Sequence, residues 1–307
     1  MESTHGFGEL LLYQPTNTEF ENLRSWYIVN CVFNAFLTIT AIVFNGITIQ
    51  ALRKTSSLPQ PLKTFLLSLA VSDLGVGLFG QPFYVGTLIK WLQGDNSPDA
   101  ASTVFRFTLY LFSAASFLGV MALSCDRFLA VQLHLRYQEL VTHKRVVVVV
   151  ISMWLFSAFL SLLYLWVSTN ICYIMFFIIG VVCLLLSAMF YFKIYFAVRR
   201  HRIQIQALRV QHTTQNGQTA NVFRLRKSAV GVFYLYLVFL LCSLPQFCSF
   251  VVVVISNLNT GVKVFFMSSI TLLFFNSSLN PVIYCWKMKH IRHAVTDILR
   301  NIFPCYH

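Results

Sequence analysis

"VFFMSSITLLFFNSSLNPVIYCW" fills residues 264–286 without one charged side chain. A helix needs about 20 mostly apolar residues in a row to cross the hydrocarbon core of a bilayer, and this run is long enough. Its second half is odd. Ser277 and Asn280 are polar, Pro281 lacks a backbone donor, and Tyr284 carries a hydroxyl. A segment made only to sit in oil would not carry these four, so they need partners or a task.

Six further runs of the same kind lie upstream, at about 27–52, 62–90, 101–131, 146–168, 171–198 and 228–256. They are numbered spans 1 to 6 here, with 264–286 as span 7. Only 11% of the 307 residues are charged and 57% are hydrophobic. A soluble domain carries roughly 25% charged residues, so a soluble enzyme is excluded. The expected fold is an all-α membrane protein, a seven-transmembrane helix bundle plus a short amphipathic helix after span 7. The runs do not repeat one another, which argues against an inverted-repeat transporter.

Charge sets the orientation. All but four of the 23 Lys and Arg fall at one end of the spans: Arg53, Lys54 and Lys63; Arg127, Arg136, Lys144 and Arg145; eight between Lys193 and Lys227; then Lys287, Lys289, Arg292 and Arg300. Arg24, Lys90, Arg106 and Lys263 are on the other side. Cytoplasmic loops collect Lys and Arg, so the basic loops are inside and the N-terminus is extracellular. The net charge of +13 is mostly this topology signal, and no nucleic-acid partner is expected. Residues 1–26 form an extracellular tail with four acids and none of the basic start of a cleaved signal peptide. Residues 27–286 make the membrane domain, and 287–307 a cytoplasmic amphipathic helix and tail. There Ile291, Val295, Ile298 and Leu299 share a face suited to the inner leaflet, and Cys305 is a candidate for lipidation. The middle of the longest inner loop, "HTTQNGQTAN" at 212–221, reads as flexible between two projecting helix ends.

Asp73 is the one acid well inside the spans. A carboxylate there costs several kcal/mol, so it must face the bundle and meet a partner or an ion. Ser116 on span 3, and Asn276, Ser277 and Asn280 on span 7, are the candidate partners. Pro281 and Pro245 each free a carbonyl one turn earlier, at Ser277 and Leu241. Asp126 and Arg127 close the inner end of span 3, where a solvated interfacial pair is the simplest expectation. No nucleophile and base come together in a plausible pocket, so the chain is not read as an enzyme.

Every span carries a motif: "FNGI" with Asn45, "LAVSD" with Asp73, "CDRF" with Arg127, Trp154, "YFKIYFAVRRH" with Tyr191, "FLLCSLP" with Phe239 and Pro245, and "NPVIY" with Tyr284. In this order the chain resembles the rhodopsin-like (class A) G-protein-coupled receptors over about 27–305. The resemblance implies a plasma-membrane receptor for an extracellular ligand that activates a heterotrimeric G protein, with arrestin and a receptor kinase as further partners. It implies a switch made of Asp126, Arg127, Tyr191, Phe239, Pro245, Asn280, Pro281 and Tyr284. Tyr191 and Tyr284 would swing toward Arg127 as span 6 opens. It implies no cofactor beyond a sodium ion as allosteric modulator at Asp73, Ser116, Asn276, Ser277 and Asn280. The matching inward positions of span 3 are Phe105, Leu109, Phe112 and Ser113, with Arg106 beside them. Those of spans 5 and 6 are Met175, Gln246, Phe247 and Phe250, and those of span 7 are Phe266, Ile270 and Phe274.

The departures from the family carry information. The usual cysteine at the outer end of span 3 is Ser102, the usual span 5 proline is Cys183, and the second outer loop is very short. These absences resemble the melanocortin receptors and partly the cannabinoid and lysophospholipid receptors. The usual tryptophan before Pro245 is Ser243, and Leu225 stands where many members place an acid to pair with Arg127. Leu109 replaces the aspartate of aminergic receptors. The apolar lining with Arg106 points to a lipid-like or apolar ligand with an acidic or polar head, and next to a peptide. A transporter and a receptor-like protein that does not signal are the alternatives.

Overall fold

The computed structural model describes residues 17–56, 58–95, 97, 100–133, 136–209, 216–256 and 259–302; the side chains of 17–19, 22, 201–209, 216–229 and 302 are not described. Cys305 and the side chain of Leu225 therefore lie outside the described residues. Ten α-helices form. Span 1 is α1 (Asn17–Lys54), and span 2 is α2 (Gln60–Gly75) and α3 (Gln81–Leu92), joined by the π-helical residues Val76–Gly80. Span 3 is α4 (Ala100–Leu133), followed by the short α5 (Tyr137–Leu140). Spans 4 to 7 are α6 (His143–Leu163), α7 (Thr169–Arg209), α8 (Asn216–Ile255) and α9 (Thr260–Lys287), and α10 (Lys289–Ile302) closes the chain. Seven of the described helical segments are long and apolar enough to cross a membrane. The chain is a multi-pass membrane protein. "Outer" below means the end of the bundle near the N-terminus and "inner" the end with the basic loops.

The side chains that a soluble protein would hide face outward here. Val32, Leu185 and Leu241 are each about two-thirds exposed, a surface that suits acyl chains and would aggregate in water. Hydroxyls inside the spans bond back to their own helix: Ser157 donates to Met153 O, Ser187 to Cys183 O and Ser243 to Phe239 O, at 2.7–2.8 Å. That local bond is how a polar residue is accommodated in oil. The interior splits into two apolar clusters. The inner one joins Leu69, Leu123, Tyr191, Phe239 and Tyr284. The outer one joins Tyr27, Tyr84, Phe105, Phe266 and Phe274.

Two boundaries and one helix face differ from the sequence reading. The first helix begins at Asn17 rather than near 27, because Leu23 and Tyr27, one turn apart, both bury in the outer cluster although Glu21 and Arg24 interrupt the apolar run. The polar inner loop is helical from Asn216, inside the segment expected to be flexible. On α10, Ile291 and Ile298 bury against the bundle while Leu299 points out. The helix follows span 7 after a single extended residue, Met288.

Candidate functional site

Span 2 brings Asp73 to the centre of the bundle, fully buried. Its Oδ2 accepts from Asn280 Nδ2 at 2.7 Å, and the Ser277 hydroxyl also faces the carboxyl. Oδ1 has no partner of normal geometry, and neither do the side-chain oxygens of Asn276 and Asn280. Ser116 sits 3.2 Å from the Ser72 hydroxyl. With Asn276 and Ser277 it lines a cavity of about 10 Å³, room for one water-sized sphere. Val76, Phe112, Ser113, Phe117, Phe239, Leu273 and Phe274 complete the wall. The opening puzzle of Pro281 resolves here. The carbonyl it frees, Ser277 O, accepts from Asn45 Nδ2 at 2.9 Å, so span 1 supplies the bond that the proline removes.

At the inner end, Asp126 and Arg127 are both buried, which corrects the expectation of a solvated pair. Arg127 donates to Asp126 through Nε at 2.9 Å and through a terminal nitrogen. Asp126 also accepts from the Tyr137 hydroxyl at 2.6 Å. Burial, and then the Asp126 charge, push the Tyr137 hydroxyl above the usual phenol range. Tyr137 had no signal in the sequence. Tyr191 and Tyr284 are buried, with hydroxyls outside normal hydrogen-bond geometry. Tyr191 lies within reach of the Arg127 charge and Tyr284 of the Asp73 charge.

The residues expected to line a ligand pocket divide. Phe105, Phe112, Phe266, Ile270 and Phe274 join the outer cluster, with Leu109 and Phe250 packed against it. Phe105 stacks on Tyr84 at 5.1 Å between ring centres, and Phe112 meets Trp154 edge-on at 6.3 Å. A β-carbon at Gly75 would lie 2.2 Å from the Phe112 ring, so only glycine admits that ring. Phe247 packs on Phe117 and lies over Gly180, where a β-carbon would come within 2.5 Å. Gln246 accepts from Ser269 at 2.8 Å, and Met175 is half-buried on span 5.

The cations of the outer side separate as well. Arg106 leaves its span 3 neighbours and lies over the Tyr164 ring at 5.0 Å, at the seam of spans 3, 4 and 5. Lys263 is buried with its ammonium 4.7 Å from the Trp91 ring centre. Lys90 pairs with Asp95 at 3.4 Å. Hydrogen bonds from Ser97, and then Lys90, hold the Asp95 carboxyl below its usual range. Among the described cysteines there is no disulfide. Cys172 is buried near the outer end of span 5, 3.9 Å from Val167 O.

Residues 44–284 match the family described as the 7 transmembrane receptor (rhodopsin family). The chain belongs to that family. It is therefore a receptor that signals through G proteins, and not an enzyme. Among curated relatives it is 26% identical to octopamine receptor beta-1R of Drosophila melanogaster over 90% of this chain, and spans only 62% of that receptor's length. It is 26% identical to melanocortin receptor 4 of Danio rerio, covering 96% of this chain and 92% of the relative. The crystal structure of squid rhodopsin superposes with a TM-score of 0.79 at 20% identity, over 92% of this chain and 88% of that one. That last likeness concerns the fold.

Proposed function

We propose that this receptor sits in the plasma membrane with its N-terminus outside, and that it answers an apolar, lipid-like ligand with an acidic or polar head. The observation that carries the reading is the aromatic outer cluster beside a base, Arg106, that no described acid pairs with. Glu21 faces Arg24 and Asp95 faces Lys90. An amine, suggested by the name of the octopamine relative, would want a carboxylate where Leu109 stands. A peptide is the second reading, favoured by the melanocortin relative that this chain covers almost end to end. Expressed receptor, assayed for second messengers against lipid acids and peptides with Arg127→Ala as control, tests both. A response to peptides alone would overturn the lipid reading.

The proposed switch is the buried Asp126–Arg127–Tyr137 group with Tyr191, Tyr284 and the two spans that carry Pro245 and Pro281, and its proposed cytoplasmic partners are the G protein, arrestin and a receptor kinase. Asp73, Ser116, Asn276, Ser277 and Asn280 are proposed to hold a sodium ion. One carboxylate and several neutral oxygens suit a hard monovalent cation, and three of those oxygens are buried without a normal partner. Bound there, the ion would neutralise the buried carboxylate. Sodium should lower agonist affinity in wild type and have no effect in Asp73→Asn. Equal sodium sensitivity in the two would refute the site.

A further inference from the structure

The seam between the outer ends of spans 3, 4 and 5 holds four polar side chains that do not line the central cavity. Arg106 and Tyr110 are one turn apart on span 3, Tyr164 ends span 4, and Tyr173 begins span 5. Tyr110 is the hub. Its ring centre lies 5.7 Å from those of Tyr164 and Tyr173 and 4.9 Å from that of Phe176. Its hydroxyl is buried beside that of Tyr173, yet outside normal hydrogen-bond geometry. The Arg106 guanidinium covers the Tyr164 ring, and its Nε is buried without a partner.

A snorkelling arginine buries its stem and carries its terminal nitrogens toward headgroups; here Nε is buried beside the Tyr164 ring without a partner, so one edge of the guanidinium meets no acceptor. The aromatic face offsets part of the cost of the charge but accepts no directed hydrogen bond in the plane of the guanidinium. The cluster therefore presents two buried donors without a normal partner, the Arg106 Nε and the Tyr110 hydroxyl, beside a planar cation that no described acid pairs with. One cation balances one negative charge. A singly charged, planar oxyanion matches the fork through two parallel bonds, where a doubly charged phosphate would be left half-neutralised.

We propose that this seam is a lateral docking site for the carboxylate of a single-chain lipid acid, reached from the outer leaflet rather than through the central opening. Two features favour a lipid source over a free anion. Spans 4 and 5 are linked only through 164–168, so little chain crosses above the seam. The residues flanking it, Leu165, Trp166, Ile171 and Ile174, are exposed apolar side chains along which an acyl chain can lie. The site rests on the reading of an acid-headed apolar ligand and gives that head a place.

The test uses full-length receptor in nanodiscs of zwitterionic lipid, with dansyl-labelled undecanoic acid as probe. Arg106→Gln should weaken binding about 10- to 100-fold, and Tyr110→Phe, which keeps the ring packing, about 2- to 10-fold. Arg106→Lys, which keeps the charge and loses the fork, should fall between wild type and Arg106→Gln. The corresponding fatty alcohol should bind wild type no better than Arg106→Gln does. Equal probe affinity in wild type, Arg106→Gln and Tyr110→Phe overturns the site, and displacement by inorganic phosphate as effective as by unlabelled fatty acid overturns the lipid source. Arg106-dependent binding without any second-messenger response leaves the site standing and removes the reading of the lipid acid as the activating ligand.

Discussion

Tyr137→Phe should raise ligand-free signalling. The Tyr137 hydroxyl donates to buried Asp126 at 2.6 Å, and the same carboxylate holds Arg127. Removing the hydroxyl leaves the ring in place and takes one donor from a buried charge. A hydrogen bond to a charged group contributes about 1.5–3 kcal/mol. If the bond exists only while the inner end is closed, its loss shifts the closed-to-open ratio about 10- to 150-fold. An open fraction of about 1% would rise to roughly 10–60%. The assay is basal second-messenger output at matched surface expression, with Arg127→Ala as the zero. A double-mutant cycle isolates the bond. In an Asp126→Asn background the tyrosine faces a neutral acceptor, so Tyr137→Phe should do much less. The pH dependence has a definite sign. A phenol whose folded pKa is raised keeps its contribution below its ordinary value of about 10 and loses it only as pH climbs through the folded value. Basal activity from this group should therefore stay flat through the neutral range. A Tyr137→Phe receptor with wild-type basal output, or an undiminished effect in Asp126→Asn, refutes the reasoning.

Wild-type receptor itself should signal measurably above Arg127→Ala without ligand, since no disulfide among the described cysteines ties span 3; identical outputs would count against this. Asn45→Ala should lower thermal stability by about 1–3 kcal/mol by stranding Ser277 O. The loss should shrink in a Pro281→Ala background, where a restored backbone N–H reaches that carbonyl, and full additivity in detergent melting curves would contradict the account. Gly75→Ala should cost about 1–3 kcal/mol by overpacking against Phe112, with partial rescue by Phe112→Leu. Unchanged melting of the single variant would show that the ring moves freely.

The spans were legible because the length of an apolar run and the placing of Lys and Arg are properties of one dimension. Asp73 was legible for a related reason: a lone carboxylate in oil is costly wherever it lies, and Asn280 was already among its named candidates. What the sequence hid is rotational. A helix that is apolar on every side has no periodic stripe to say which face meets which neighbour, so Arg106 could be placed by depth and not by direction. Tyr110, its partner one turn on, looked like any aromatic of span 3. Tyr137 was hidden differently. Its acceptor is 11 residues back across the inner turn, and a phenol in a loop announces nothing until the loop folds. Asn45 was visible as a motif, but its task appears only when span 1 is set against the carbonyl freed by Pro281.

Ser243 tests whether a missing aromatic breaks the packing or relocates it. The Ser243 hydroxyl returns to Phe239 O on its own helix, so it adds no contact across the bundle. The ring contacts lie on either side of it. Phe117 on span 3 meets Phe239 at 4.9 Å between centres and Phe247 at 5.7 Å, both edge-on. Phe247 in turn covers Gly180 on span 5 and meets Phe177. Spans 3, 5 and 6 therefore share a continuous aromatic column without a ring at 243. Pro245 falls between the two span 6 members of that column, Phe239 and Phe247. Pro245 leaves Leu241 O without its helical donor, so the part of span 6 that joins these two rings is held by one backbone bond fewer than a regular helix.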